Sequence, residues 1–146
     1  MTNFTIPGEP QGKARARVVN VQGQARAYTP EKTTLYENLI KMAYYSNSKV
    51  KTDEPVQVNI KAYMQIPQSI SKKKQNKMAN GTIRPTKKPD LDNIAKVVCD
   101  ALNGIAWNDD KQVIDLHIVK YYDLAPRVEV EITEVTANGK YRTSDS

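Results

Sequence analysis

Val56-Gln-Val-Asn-Ile-Lys-Ala-Tyr-Met-Gln-Ile66 alternates apolar and polar residues without a break between Pro55 and Pro67. Side chains of an extended chain point to opposite faces in turn, so Val56, Val58, Ile60, Ala62, Met64 and Ile66 form the buried face of a strand. About eleven residues is long for a strand, which makes this segment the expected backbone of a sheet. A second strand is expected from Val113 to about Tyr122. A third follows from the alternation Val128, Val130, Ile132, joined to the second through Asp123-Leu-Ala-Pro126 as an antiparallel hairpin. Phe4 and Ile6 suggest an edge strand at the start of the chain.

Two helices separate these strands. Thr29-Pro30-Glu31 reads as a helix opening, with Thr29 as N-cap and Pro30 in the first helical position. Leu35, Leu39, Ile40 and Ala43 then recur at helical spacing to about Ser46, with Tyr36, Tyr44 and Tyr45 as packing residues flanking that face. From Asp90 to Ala106, the residues Ile94, Val97, Val98, Ala101, Leu102 and Ile105 fall on one side of a helix. Asp92, Lys96, Asp100 and Asn103 lie within about 80° of one another on the other side. The expected order is β-α-β-α-β-β, an α+β single domain with a mixed sheet and the helices packed on it, spanning residues 1–134. Residues 135–146 lose apolar periodicity and read as a flexible tail. The stretch Pro7 to Pro30, rich in Gly, Pro and Gln, reads as a loop or irregular arm.

With 146 residues the chain suffices for one modest core, kept small by 39% hydrophobic residues and a single Phe. The formal charge of +6 favours acidic partners, nucleic acid first among them. Cys99 is the only cysteine, so neither an internal disulfide nor a thiolate metal site can form, and packing is its expected role. The N-terminus lacks a signal-peptide pattern and no apolar run approaches about 18 residues, so a soluble cytoplasmic protein without a membrane partner is expected. There is no glycine-rich phosphate loop, and hence no expectation of a nucleotide cofactor.

Charge is sharply segregated along the chain. Gln68 to Pro89 carries Lys72, Lys73, Lys74, Lys77, Arg84, Lys87 and Lys88 and no acid, with Asn80-Gly81 marking a turn. The N-terminal arm adds Lys13, Arg15, Arg17 and Arg26. A run of like charge is ordinarily a solvated face, but this one leads directly into Lys88-Pro-Asp-Leu-Asp-Asn93. Asp90, Asp92, Asp100, Asp109, Asp110 and Asp115 then concentrate six of the sixteen acids into one short segment. Mg²⁺ wants oxygen ligands and is typically held by one or two carboxylates together with substrate phosphate. Taken singly, each residue has a plain reading: Asp90 and Asp92 as helix caps, Lys96 as an ion-pair partner of Asp92, Asp109 and Asp110 as turn formers, His117 as a structural residue. Capping does not explain why a second acid pair lies beyond the far end of the same helix.

Lys88-Pro-Asp-Leu-Asp-Asn-Ile-Ala-Lys96, then Asp100-Ala-Leu-Asn103, then Trp107-Asn-Asp-Asp-Lys-Gln-Val113 resembles the RusA family of Holliday junction resolvases, from about Phe4 to Glu134. The opening from Ile6 to Arg17, with Ala27-Tyr-Thr-Pro-Glu-Lys32, is similar to members common in Gram-positive bacteria and their prophages. The resemblance implies an endodeoxyribonuclease of recombination and repair that acts as a homodimer with Mg²⁺, or Mn²⁺ in its place, and makes paired nicks in a four-way DNA junction. Carried over by position, Asp90, Asp92 and Asp110 would bind the metal and Lys96 would be the catalytic lysine. Asn93, Asp100 and Asp109 would be supporting residues. Lys13, Arg15, Arg17, Lys72, Lys73, Lys74, Lys87 and Lys88 are the expected DNA contacts. The competing reading is a branched-DNA-binding protein without catalysis, a degenerate prophage copy.

Overall fold

The computed structural model describes residues 2–15, 17–28, 30–48 and 51–135, with the Arg17 side chain outside that description. The alternation from Val56 produces the central strand β4, Val56–Gln65, preceded by β1, Thr2–Pro7, and followed by β5, Val113–Asp123, and β6, Arg127–Glu134. Their order across the sheet is β1-β6-β4-β5, with β4 antiparallel to β6 and parallel to β5. The sheet is therefore mixed and the fold α+β, as the pattern of elements implies. β1 lies on one edge, as expected.

The expected β5–β6 hairpin does not form, because β4 lies between those strands. Both neighbours gain from pairing with the most regularly alternating strand: β4 buries Val56, Val58, Ile60, Ala62 and Met64 on one face. Local sequence distance alone favours the hairpin; burial favours the central insertion.

Helix α1, Glu31–Tyr45, and helix α3, Leu91–Leu102, cover one face of the sheet and contact each other. In α1 the buried stripe is Thr33, Tyr36, Ile40 and Tyr44, whereas Leu35 is 61% exposed. Tyr36 and Tyr44 are thus core residues, and Phe4 meets Tyr44 edge-on at 5.7 Å. Tyr45 remains exposed. The N-cap of α1 is Pro30, not the first helical residue, and Thr29 lies outside the described residues.

Helix α3 stops at Leu102, short of the expected Ala106. Gly104 takes φ +79° and its N–H donates to the Trp107 carbonyl at 2.8 Å, turning the chain back. That reversal buries Trp107 completely in the core formed by α1, α3 and the sheet.

Two elements were not expected. The arm from Pro7 to Pro30 contains an antiparallel hairpin of β2, Arg17–Val21, and β3, Gln24–Tyr28. Its two-residue turn has positive φ at both Gln22 and Gly23, the backbone of a tight hairpin. The period-two signal is weak there because both faces of the hairpin are exposed, so no apolar set marks a buried side. The second is helix α2, Lys72–Ala79, opened by the Ser71 hydroxyl, which accepts from the Lys74 N–H at 3.3 Å. It buries no residue, which is why apolar periodicity does not reveal it. The Asn80-Gly81 turn after it is present, with Gly81 at φ +86°. The C-terminal tail lies outside the described residues beyond Val135.

Candidate active site and nucleic-acid interface

Asp92 sits in the first turn of α3 on its exposed side, and Lys96 follows one turn later. Beyond the helix, Asn108 to Gln112 form a tight structure that returns the chain toward the helix flank. The Asp109 side chain accepts from the Lys111 N–H at 3.1 Å, and the Gln112 amide oxygen accepts from the N–H groups of Asn108 and Asp109 at 2.7 and 3.0 Å. Gln112 in turn donates to the carbonyls of Thr52 and Glu54, both at 3.0 Å. Asp109 therefore caps a short 3-10 turn, Asp110–Gln112.

The neighbouring carboxylate has a different environment. Asp110 accepts the indole N–H of buried Trp107 at 2.9 Å and faces the flank of α3. A cleft of about 560 Å³ is lined there by Asp92, Lys96, Asp100 and Asp110, with Leu91, Ala95, Cys99 and Val113 among its apolar walls. The fold thus brings Asp92, Asp100 and Asp110 to one cleft, whereas Asp90 is not among its lining residues. Asp90 stands at the N-cap of α3, yet its side chain makes no capping hydrogen bond, and the residue is exposed. No ion pair joins Lys96 to Asp92 among the described residues, so the i,i+4 pairing is not what holds either side chain.

Three aspartates in this arrangement are not closed round one point: among the described residues, no group of three His, Cys, Asp or Glu side chains is close enough to hold an ion by itself. Asp92 and Asp110 nevertheless present a pair of hard oxygen donors to one cleft, with room for water and a phosphate, which suits a cation of the Mg²⁺ kind. Cys99 adds no soft ligand. Burial, with help from the charges of Asp110 and Asp100, pushes its thiol up to about 12, so it stays protonated and acts as packing.

His117 donates toward Asp115 at 2.9 Å on β5. Cleft residues Leu116 and Ile118 flank it in sequence, so strand alternation directs His117 to the opposite face of the sheet. It is not a base for this cleft.

The expected DNA contacts divide into groups. Lys72, Lys73 and Lys74 are exposed on α2, and Lys87 and Lys88 are exposed just before α3. Arg15 and Lys88 line a groove with Lys32, bordered by Gly12 and Pro89. Lys32 is a groove residue that the sequence reading missed; its place at the start of α1 gives no signal of a groove that three separate segments build. Lys13 has carboxylate partners within the fold. Its ammonium pairs with Glu37 at 3.2 Å and Asp100 at 3.3 Å, and these carboxylates outweigh burial to hold its pKa above the usual value. It ties the N-terminal segment to α1 and α3 instead of standing free for phosphate. Asp100 is accordingly half committed to Lys13. The Arg17 side chain lies outside the described residues.

Asn93 marks another tertiary contact. Its carbonyl accepts the Lys13 N–H at 2.9 Å, and a Cβ placed on Gly12 would stand 2.9 Å from the Asn93 Cβ and 3.0 Å from the Pro89 Cβ. Gly12 is thus the residue that lets the N-terminal segment lie directly on the Pro89–Asn93 stretch.

The described residues thus set an aspartate-lined cleft along α3 and exposed lysines on α2 and just before α3. The model of the family described as endodeoxyribonuclease RusA matches residues 7–133. The chain is also 39% identical over 137 residues to the uncharacterized protein YqaN of Bacillus subtilis (strain 168), covering 92% of this chain and 96% of that protein. The chain belongs to the RusA endodeoxyribonuclease family, whose members are Holliday junction resolvases.

Proposed function

We propose that this protein is a Mg²⁺-dependent endonuclease that resolves four-way DNA junctions by paired nicks, with Mn²⁺ able to substitute. The observation that carries the reading is the convergence on one cleft of Asp92 and Lys96, from the first half of α3, and Asp110, from the turn beyond its far end. Asp92 and Asp110 would hold the cation, with Asp90 at the start of the same helix as a third carboxylate ligand. The bound cation would supply charge neutralisation at the phosphoryl oxygens and an acidified water. The protein's own residues do the remainder. Trp107 fixes the orientation of Asp110 by taking one carboxylate oxygen, leaving the other for the cleft. Lys96 places a cation on the same helical face as Asp92, where it would stabilise charge that develops on the phosphate during displacement.

Carboxylates alone repel DNA, so binding has to be supported elsewhere. The groove of Arg15, Lys32 and Lys88 runs beside Pro89, and α2 adds the exposed Lys72, Lys73 and Lys74. Replacing Lys72, Lys73 and Lys74 with Gln is expected to lower the slope of log affinity against log salt by about one unit for every phosphate that these lysines neutralise. An unchanged slope would mean that α2 is merely a solvated face.

Two nicks in one junction call for two sites, and a homodimer would provide them. What supports it is the exposed apolar set beside the cleft, Ile114 and Leu116 on the edge strand β5 and Leu91 at the start of α3. The direct test is cleavage of a synthetic four-way junction with Mg²⁺ and with EDTA. Symmetrical paired nicks that vanish in EDTA are the expected result; junction binding without any nick, under Mg²⁺ or Mn²⁺, would overturn the catalytic reading.

A further inference from the structure

Lys120 occupies an unusual position in β5. The register pairs it with buried Ala62, and its neighbours on that side of the strand are Leu116, Ile118 and Tyr122. This is the side of the sheet that the helices cover, where an apolar residue is the ordinary choice. The lysine instead turns its ammonium onto two backbone carbonyls, Lys87 at 2.7 Å and Pro89 at 3.0 Å. Nearby, Arg84 donates through both Nε and Nη2 to the Lys120 carbonyl at 2.8 and 2.6 Å, with its guanidinium 4.1 Å over the Tyr121 ring. Residues 84–89 are therefore fastened to β5 at both ends.

We infer that Lys120 is a positioning residue for Asp90, holding the Lys87–Pro89 stretch through its two carbonyl contacts. The physical route is short. The Pro89 carbonyl belongs to the planar peptide that leads into Asp90, so fixing that oxygen fixes the Asp90 N–H and Cα, and with φ at −69° at the helix start the direction of the side chain follows. The Asp90 carboxylate has no capping hydrogen bond of its own to do this. From the other side, Gly12 and the Lys13 N–H hold Pro89 and Asn93. Asp90 thus enters α3 from a turn clamped between the N-terminal segment and β5. An ammonium has three N–H groups and two are already engaged, so a phosphate contact is the weaker account of this half-buried lysine.

This inference rests on the nuclease reading above, and the experiment separates the two. In Lys120→Met, kcat for junction cleavage is expected to fall about 10- to 100-fold, as for other residues that orient a ligand from behind, and Mn²⁺ to bind the DNA-free protein more weakly. Junction affinity and its salt slope should stay at the parental values. A folded variant with parental kcat and Mn²⁺ affinity overturns the role. So does a loss confined to junction affinity with a salt slope reduced by about one unit, which would make Lys120 a phosphate contact. If the parent cuts no junction, the nuclease reading fails and the Mn²⁺ comparison alone decides: weaker binding by the variant upholds the role, equal or absent binding overturns it. Should Lys120→Met not fold, Lys120→Gln, which keeps the strand polar, is read by the same outcomes.

Discussion

Asp92→Asn is expected to lower junction cleavage on the order of 10³-fold or more, with junction affinity equal to or tighter than the parent's. The substitution keeps the size and the helix position but removes one charge from the cleft. Loss of that charge weakens the cation site while also removing repulsion toward DNA, so the two observables should move in opposite directions. Asp110→Asn should behave alike, because it lines the same cleft from the opposite side. Asp109→Ala is the informative contrast. Its carboxylate caps the 3-10 turn, so its removal should cost about 0.5–2 kcal/mol of stability and leave most of the cleavage intact below the melting temperature. Single-turnover cleavage with binding by gel shift checks all three variants. Parental cleavage by Asp92→Asn would sink the site assignment, and equal losses for Asp109→Ala and Asp110→Asn would undo the distinction between the neighbours.

Trp107→Ala carries the largest expected effect on stability. The side chain is completely buried among α1, α3 and the sheet, and deleting so large a group from a core costs about 3–5 kcal/mol. For a domain of this size that lowers the melting temperature by roughly 10 °C or more. Trp107→Phe separates packing from chemistry: it retains most of the volume but deprives Asp110 of its indole donor at 2.9 Å. Cleavage by Trp107→Phe should fall about 10-fold or more with a much smaller loss of stability than Trp107→Ala. Thermal unfolding and kcat measured on both variants give the answer, and full activity in Trp107→Phe would show that Asp110 needs no such support.

The contrast between Asp109 and Asp110 shows where reading a sequence stops. Both are aspartates in a polar turn, and nothing in Trp-Asn-Asp-Asp tells which carboxylate caps and which faces the helix. That depends on Gln112, whose amide links Asn108 and Asp109 to the Thr52 and Glu54 carbonyls at the start of β4. Lys13 and Lys120 teach the same lesson with opposite sign. Lys13 looks like one more free cation in a basic arm, yet its partners Glu37 and Asp100 come from two helices. Lys120 falls on the apolar side of its strand, and its acceptors are backbone carbonyls that no residue type can announce.

What the sequence by itself determined are the features governed by local period: the long strand β4, the amphipathic helix α3 with Asp92 and Lys96 on its exposed stripe, and the α+β class. Side-chain periodicity is a property of consecutive residues, so it is legible without a fold. Elements that bury nothing, the β2–β3 hairpin and α2, escaped because their only signals were a turn and a cap. The insertion of β4 between β5 and β6, the return of Asp110 to Asp92, and the clamp on the turn before Asp90 were decided by the tertiary structure alone. Each depends on which distant surfaces meet when the apolar face of the sheet is covered, and burial is a property of the whole chain.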